Sequence, residues 1–374
     1  MTIADGLRLV GPPGSNKVMA GELSRLAARG MPGTRLVEPR KAGPGALIYP
    51  YDAALAELAL TYARTPSRVL RDLYVSDAER LEPLAEEIAR DAAADTRAWA
   101  HDGAAISIRA RNVGEFAAGG LQVLGAVKNG LIDGARSRGL RLRVDPDRPD
   151  VLLALRMHDR TISLSVDLAG QALHLRGYRG EGGEAPLREN LAAILVMLCR
   201  HDARREILLD PMCGSGTIAI EAALMGRGEP LRPGAPALFP DTRPVVVGNE
   251  LHTPTMAAAR ANVAAAGADA HVRILHGDFR AMTPEKVMRA AGAAGAMTGG
   301  VILCNPPYGA RLDREDPVPI YRELGVFCRQ FRGWRAGFLV ANRDFEHAFG
   351  AGRPRITKPL RNASQPATFY LYDL

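Results

Sequence analysis

The chain has 374 residues, 47% hydrophobic and 24% charged, a composition that suits a folded protein of two or three domains. No apolar run approaches the ~20 residues that cross a bilayer, and the first twenty residues lack the basic start and apolar core of a secretion signal, so the expected location is cytoplasmic. The net charge of +7 is spread over both halves, which fits a polyanionic partner held by local clusters rather than by a basic tail.

In chain order, residues 1–65 read strand, helix, strand. Leu7 to Val10 is apolar, Met19 to Gly30 has helical spacing, and ALIYPY follows. GPPGSNKV (Gly11 to Val18) superficially suggests a phosphate loop. The G-x-x-x-x-G-K-[ST] pattern fails at Asn16 and Val18, so it reads as a strand-to-helix turn. Residues 66–169 mix helices and strands. Leu81 to Ala93 and Leu121 to Arg136 have helical periodicity, while Ala105 to Ala110, RLRVD, DVLLALRMHD and Thr161 to Gly170 alternate with period two. Strands packed on helices imply an α+β module.

Glycines mark a linker over 170–190, and APLREN opens a helix. From 191 the pattern becomes helix alternating with strand. EILLD, PVVVGNE, VRILHGD, GVILCN and GWRAGFLVAN lack polar alternation, so both faces should be covered, as in a mostly parallel, doubly wound α/β sheet. Cys199, Cys213, Cys304 and Cys328 form no C-x-x-C pair, and the eight histidines are scattered, so neither a metal site nor a disulfide framework is expected.

The chemistry gathers at the strand ends of this half. LLDPMCGSGTIAIEAAL (Leu208 to Leu224) places Gly214 and Gly216 where the backbone can turn tightly and approach a ligand at a helix N-terminus. The next strands end in Glu250, Asp278 and Asn305. Ligands in such sheets bind outside the carboxyl ends of the strands. An acid after the second strand suits a ribose diol, and one after the third suits an adenine amino group. Either acid alone could equally be a helix cap or a solvated charge; the ordered set points to a site. CNPPYG (Cys304 to Gly309) then ends the fourth strand with an amide, two prolines that cannot continue it, and an aromatic ring.

LLDPMCGSGT…VVGNE…HGDF…NPPYG resembles the class I S-adenosylmethionine-dependent methyltransferases, whose fold is Rossmann-like. NPPY is similar to the [D/N]PP[Y/F] motif of enzymes that methylate exocyclic amino groups of bases. The resemblance implies cofactor contacts from Asp210, Cys213, Gly214, Gly216, Glu250, Asp278 and Asn305, and catalysis by Asn305, Pro306 and Tyr308. Upstream, VLGAVKNGLIDGARSRGLRLRVD, TISLSVDLAGQALHLRGYR and EAPLREN resemble the THUMP-domain RNA methyltransferases, in particular the bacterial enzymes that make N2-methylguanosine in 23S ribosomal RNA. KPLRNASQPATFYLYDL is similar to their final hairpin. This implies a ferredoxin-like domain at 1–65, a THUMP RNA-binding domain at 66–169 and a methyltransferase domain at 170–374. Two departures stand out. The chain ends before the second methyltransferase domain that some ribosomal enzymes carry, and GNELHTP has His252 where relatives more often have a second aspartate, so no cofactor role passes to His252.

A guanine N2 amine is a poor nucleophile because its lone pair is delocalised. Acceptors on its hydrogens let the nitrogen turn its lone pair outward. Asn305 offers a side-chain carbonyl and Pro306 a backbone carbonyl, both preorganised by the double proline. Tyr308 offers a face for stacking, worth about 1–3 kcal/mol. Adenine N6 and cytosine N4 present the same donors, so guanine follows from the resemblance alone. An adenine N6-methyltransferase and a non-catalytic RNA-binding assembly factor are the alternatives.

RSRGLRLRVDPDR (Arg136 to Arg148) has five arginines in thirteen residues. Arg136, Arg138, Arg141 and Arg143 suit phosphates or a solvated face. Arg176 and Arg179, flanking Tyr178, could hold RNA or fix the linker to the sheet. Lys358 and Arg361 are further candidates on the C-terminal hairpin.

Overall fold

The computed structural model describes residues 5–76, 80–113, 116, 119–158, 161–180, 187–292, 297, 299–307, 316–363 and 365–374. They fall into two units: residues 1–11, 23–60 and 66–173, and residues 12–22, 61–65 and 174–374.

In the first unit eight strands make one sheet: β1 (Gly6–Val10), β2 (Arg40–Lys41), β3 (Ala46–Pro50), β4 (Arg68–Ser76), β5 (Ala105–Arg111), β6 (Arg143–Val144), β7 (Val151–His158) and β8 (Thr161–Asp167). Their order is β2-β3-β1-β4-β8-β7-β5-β6, antiparallel except where β5 meets β6 and β7. Strands from residues 1–65 and from 66–169 therefore share a sheet. The chain's first two helices are α1 (Asn16–Gly30) and α2 (Ala53–Tyr62). Helices α3 (Leu81–Glu87) and α4 (Gly120–Ser137) bury Leu84, Val123, Val127 and Leu131 in one core with Leu153, Leu155, Ile162 and Leu164 of the sheet. Gly130 and Gly134 let α4 approach closely, since a Cβ there would meet the Ala85 and Ala89 carbonyl oxygens at 2.6 and 2.5 Å.

The sequence pattern leaves α2 and β4 unassigned. In β4, Arg68, Arg71 and Asp72 interrupt the apolar run and a bulge between Asp72 and Tyr74 breaks the period-two signal. The strand expected at RLRVD shrinks to Arg143–Val144.

The second unit contains α5 (Glu189–Leu198), β9 (Glu206–Asp210), α6 (Thr217–Arg227), β10 (Val245–Glu250), α7 (Thr253–Ala265), β11 (Val272–His276), α8 (Pro284–Ala290), β12 (Gly299–Cys304), α9 (Val318–Cys328), β13 (Arg335–Val340), α10 (Phe345–Phe349), β14 (Ile356–Asn362) and β15 (Gln365–Asp373). The sheet order is β11-β10-β9-β12-β13-β15-β14, with five parallel strands and a C-terminal antiparallel hairpin. Alternate strand residues enter opposite cores. Leu208, Val246, Val301 and Leu303 pack with α5, α6 and α7; Ile207, Leu209, Val247 and Ile302 pack with α8, α9 and α10. This two-sided burial is why the strands read as continuous apolar runs. The chain runs outward from β9 to β11, then returns to place β12 beside β9. That reversal opens a crevice at the carboxyl ends of β9, β10 and β12.

Candidate functional site

The loop after β9 is shaped by two residues in the left-handed region, Gly214 (φ +53°) and Gly216 (φ +84°), before α6 begins. The turn is tied to β10. The Cys213 N–H donates to the Asn249 carbonyl at 2.8 Å, and the Gly214 N–H donates to Glu250 Oε2 at 2.9 Å. Glu250 Oε1 accepts the His252 N–H at 2.9 Å, so both carboxylate oxygens are aimed by backbone donors. Cys213 is buried, and burial raises its thiol well above the usual range.

Asp210, at the end of β9, is 2% exposed and accepts only a long bond from the Met212 N–H, 3.3 Å, among the described residues. Burial pushes its carboxyl up to about 8; the Met212 bond opposes this and the Glu250 carboxylate adds to it. Asp278, after β11, caps a short 3₁₀ turn through the Arg280 N–H at 2.9 Å and pairs with the Arg280 guanidinium at 2.7 Å. Burial acts to raise this carboxyl, but the two bonds from Arg280 outweigh it and hold Asp278 below the usual carboxylate range. Arg280 also reaches Glu323 of α9 at 2.5 Å.

These groups line one crevice of about 640 Å³. Asp210, Cys213, Gly214, Glu250, Asp278 and Asn305 of the expected set are brought together there; Gly216 lies just behind, against Ala259 of α7. At its edge Asn305 Oδ1 is buried and has no hydrogen-bond partner among the described residues. Pro307 rather than Pro306 lines the crevice, and Tyr308 lies outside the described residues. The sequence reading misses Asn249 and Arg280. Asn249 is 3% exposed; its amide donates to the Pro211 and Gly277 carbonyls at 3.2 and 2.9 Å, joining all three strand-end loops. Its only signal in the sequence is a polar residue one place before the acid.

The basic candidates divide. Arg176 is turned inward, its side chain 4% exposed, bound to Glu221 of α6 and to the Arg64 carbonyl. Arg179 binds Glu189, Thr217 and the Leu187 carbonyl. Both fix the linker rather than face solvent. Arg136, Arg141 and Arg143 are exposed and paired with Asp133, Asp102 and Asp145, and Arg138 caps carbonyls at Ala89, Arg90 and Gly134. Arg361 is exposed on β14. Lys358 is half-buried there, and burial followed by the nearby Lys17 lowers its ammonium. No group of metal ligands occurs among the described residues, and no described helix is long and apolar enough to cross a membrane.

The family described as UPF0020, RMKL-like, methyltransferase domain, matches residues 176–365. The Marinobacter nauticus protein called ribosomal RNA large subunit methyltransferase K/L is 31% identical over 97% of this chain and 52% of its own length. The chain spans between about a third and a half of the curated relatives it matches. A Clostridium difficile 630 protein described as a possible methylase superposes with a TM-score of 0.81 at 24% identity, covering 100% of this chain and 98% of its own. The protein SMU.472, whose structure is described as that of a putative methyltransferase complexed with SAH, superposes with a TM-score of 0.80 at 19% identity, covering 100% of this chain and 98% of its own.

Proposed function

Because the chain belongs to the UPF0020 family of RMKL-like methyltransferase domains, we propose that its crevice holds S-adenosylmethionine and that it methylates the exocyclic N2 of a guanosine in structured RNA, 23S ribosomal RNA ahead of transfer RNA. The observation that carries this is the orphaned acceptor, Asn305 Oδ1. A buried carbonyl without a donor costs free energy. A base amine entering the crevice would supply that donor.

The residues fit the cofactor. Glu250, fixed by two N–H groups, has lone pairs left for a ribose diol; Asp278, held by Arg280, suits an adenine amine. Gly214 and Gly216 keep the turn open to close approach. When bound, S-adenosylmethionine supplies a methyl group activated by its sulfonium. Asn305 accepts an amine hydrogen, so the nitrogen's lone pair is directed away from the ring, with Tyr308 as the stacking face; Pro306, outside the crevice lining, acts by stiffening the turn that holds Asn305. Alignment supplies most of the gain. In this reading residues 1–65 form a ferredoxin-like segment, residues 66–169 the RNA-holding module with its exposed arginines, and 170–374 the catalytic domain. Lys358 and Arg361 remain candidates for phosphate contact.

The test is to incubate the purified protein, in separate reactions, with protein-free 23S ribosomal RNA and with transfer RNA, each with methyl-labelled donor, then digest to nucleosides. Label in N2-methylguanosine is expected. Label in N6-methyladenosine would overturn the choice of base, and no incorporation into either RNA would overturn the enzymatic reading.

A further inference from the structure

In the first unit, alternation along β5, β7 and β8 sends Ile106, Leu153, Leu155, Ile162 and Leu164 into the helix-packed core. The opposite face carries Ser107, Arg109 and Arg111 of β5, Arg156 of β7, and Ser163 and Ser165 of β8, with Leu152 and Ala154 among its apolar members. Its register places Arg111 of β5 directly across from Arg156 of β7, which lies across from Ser163 of β8. Ser165 continues to Asp72 of β4, and Arg8 of β1 reaches the same carboxylate.

Two of the arginines on this face are neutralised. Arg8 makes paired bonds of 2.8 Å to Asp72, and Arg68 pairs with Asp167 at 2.5 Å. Arg156 makes no ion pair with a described residue, and its buried Nε has no hydrogen-bond partner among them. Arg109 and Arg111, two residues apart on β5, are exposed. Burial, then repulsion from Arg111, Arg8 and Arg68, makes the Arg156 guanidinium easier to deprotonate than usual, with Asp167 opposing. A half-buried cation beside like charges is costly unless an anion completes it. A planar guanidinium matches the bidentate geometry of phosphate oxygens.

We infer that the polar face of this sheet, at Arg109, Arg111 and Arg156, is an RNA phosphate-binding site. The inference rests on the RNA reading above but places the grip on the sheet rather than on the carboxylate-paired arginines after α4. Phosphate contacts position the RNA without reading its sequence.

Filter binding of protein-free 23S ribosomal RNA over a series of KCl concentrations tests it, with Arg156→Gln, Arg156→Lys and the Arg111→Gln/Arg156→Gln double variant. The double variant should bind about tenfold to a hundredfold more weakly. The slope of log affinity against log salt should fall by about one for each arginine removed, while Arg156→Lys keeps the slope. Without RNA, Arg156→Gln should melt at or above the wild-type temperature, because an uncompensated cation is removed; an arginine of purely structural value would lower it. S-adenosylmethionine affinity, by calorimetry, should be unchanged.

Unchanged RNA affinity and slope in the double variant overturns this inference and leaves the methyltransferase reading standing. A wild-type protein that binds S-adenosylmethionine but not 23S ribosomal RNA overturns the RNA reading itself. Inorganic pyrophosphate displacing RNA at equal phosphate concentration would assign the face to free phosphates and overturn the RNA assignment.

Discussion

Asn305 carries the chemistry of the proposed reaction in one atom. Its Oδ1 is buried at the crevice edge with no described donor, so the folded protein already bears the desolvation cost that an incoming amine would relieve. Removing that atom should therefore leave folding nearly untouched and act on the rate. For Asn305→Ala the single-turnover rate of methyl transfer should fall by about 10²–10³, the range for losing one preorganised polar group. Donor affinity by calorimetry should stay within about twofold, since a charge-independent contact to the amine is what is lost. Asn305→Asp keeps an acceptor and should retain more activity than the alanine variant. A rate in Asn305→Ala within tenfold of wild type would remove Asn305 from catalysis.

Elements place such atoms, and here the sequence was legible unevenly. The five parallel strands and the acids at the strand tips could be read because burial leaves apolar runs that end in polar residues; the hairpin was legible only through the likeness of its sequence to a known family's ending, since β14 buries little. The inward turn of Arg176 could not, because a basic residue beside a glycine linker has the same local signature whether it meets a phosphate or a buried carboxylate. Its partner, Glu221, lies 45 positions away on α6. There Glu221 is fully buried and binds Arg64 at 3.1 Å, Arg176 at 3.4 Å and the Tyr178 hydroxyl at 3.3 Å. Glu22 extends the cluster by accepting the Arg64 and Thr65 N–H groups. Replacing Glu221 by alanine leaves two guanidinium groups buried without their countercharge. Chemical denaturation should show a loss of about 3–5 kcal/mol for the second unit. A loss below 1 kcal/mol would mean that solvent reaches these arginines when the glutamate is gone and that the cluster does not fix α6 to the linker.

Across the whole molecule, buried titrating groups should set how stability varies with pH. His201 and His271 are held below the usual histidine range, chiefly by burial, so the unfolded chain binds more protons there and stability rises with pH up to the unfolded value near 6.5. The carboxyls of Asp102, Asp145, Asp278 and Glu285 are held low and complete their contribution above the unfolded carboxylate range, near pH 4. Asp210 has the opposite sign. Its folded value of about 8 lies above the unfolded one, so the fold binds a proton that the unfolded chain has released, and that stability is lost as pH rises toward 8. Glu22 and Glu189, raised first of all by burial, act in the same direction. Between pH 6.5 and 8 the histidines finish their contribution while Asp210 gives up its proton, so stability should fall by about 1 kcal/mol net over that window. The tryptophans separate the units, since Trp99 lies in the first and Trp334 in the second. Trp334 fluorescence in a Trp99→Phe background should therefore report the decline in denaturant titrations, and Asp210→Asn should flatten it. A second unit that holds or gains stability from pH 6.5 to 8, with Asp210 intact, would show that its carboxyl is already ionised, and the crevice would then present a permanent anion rather than one that a bound cation must draw out.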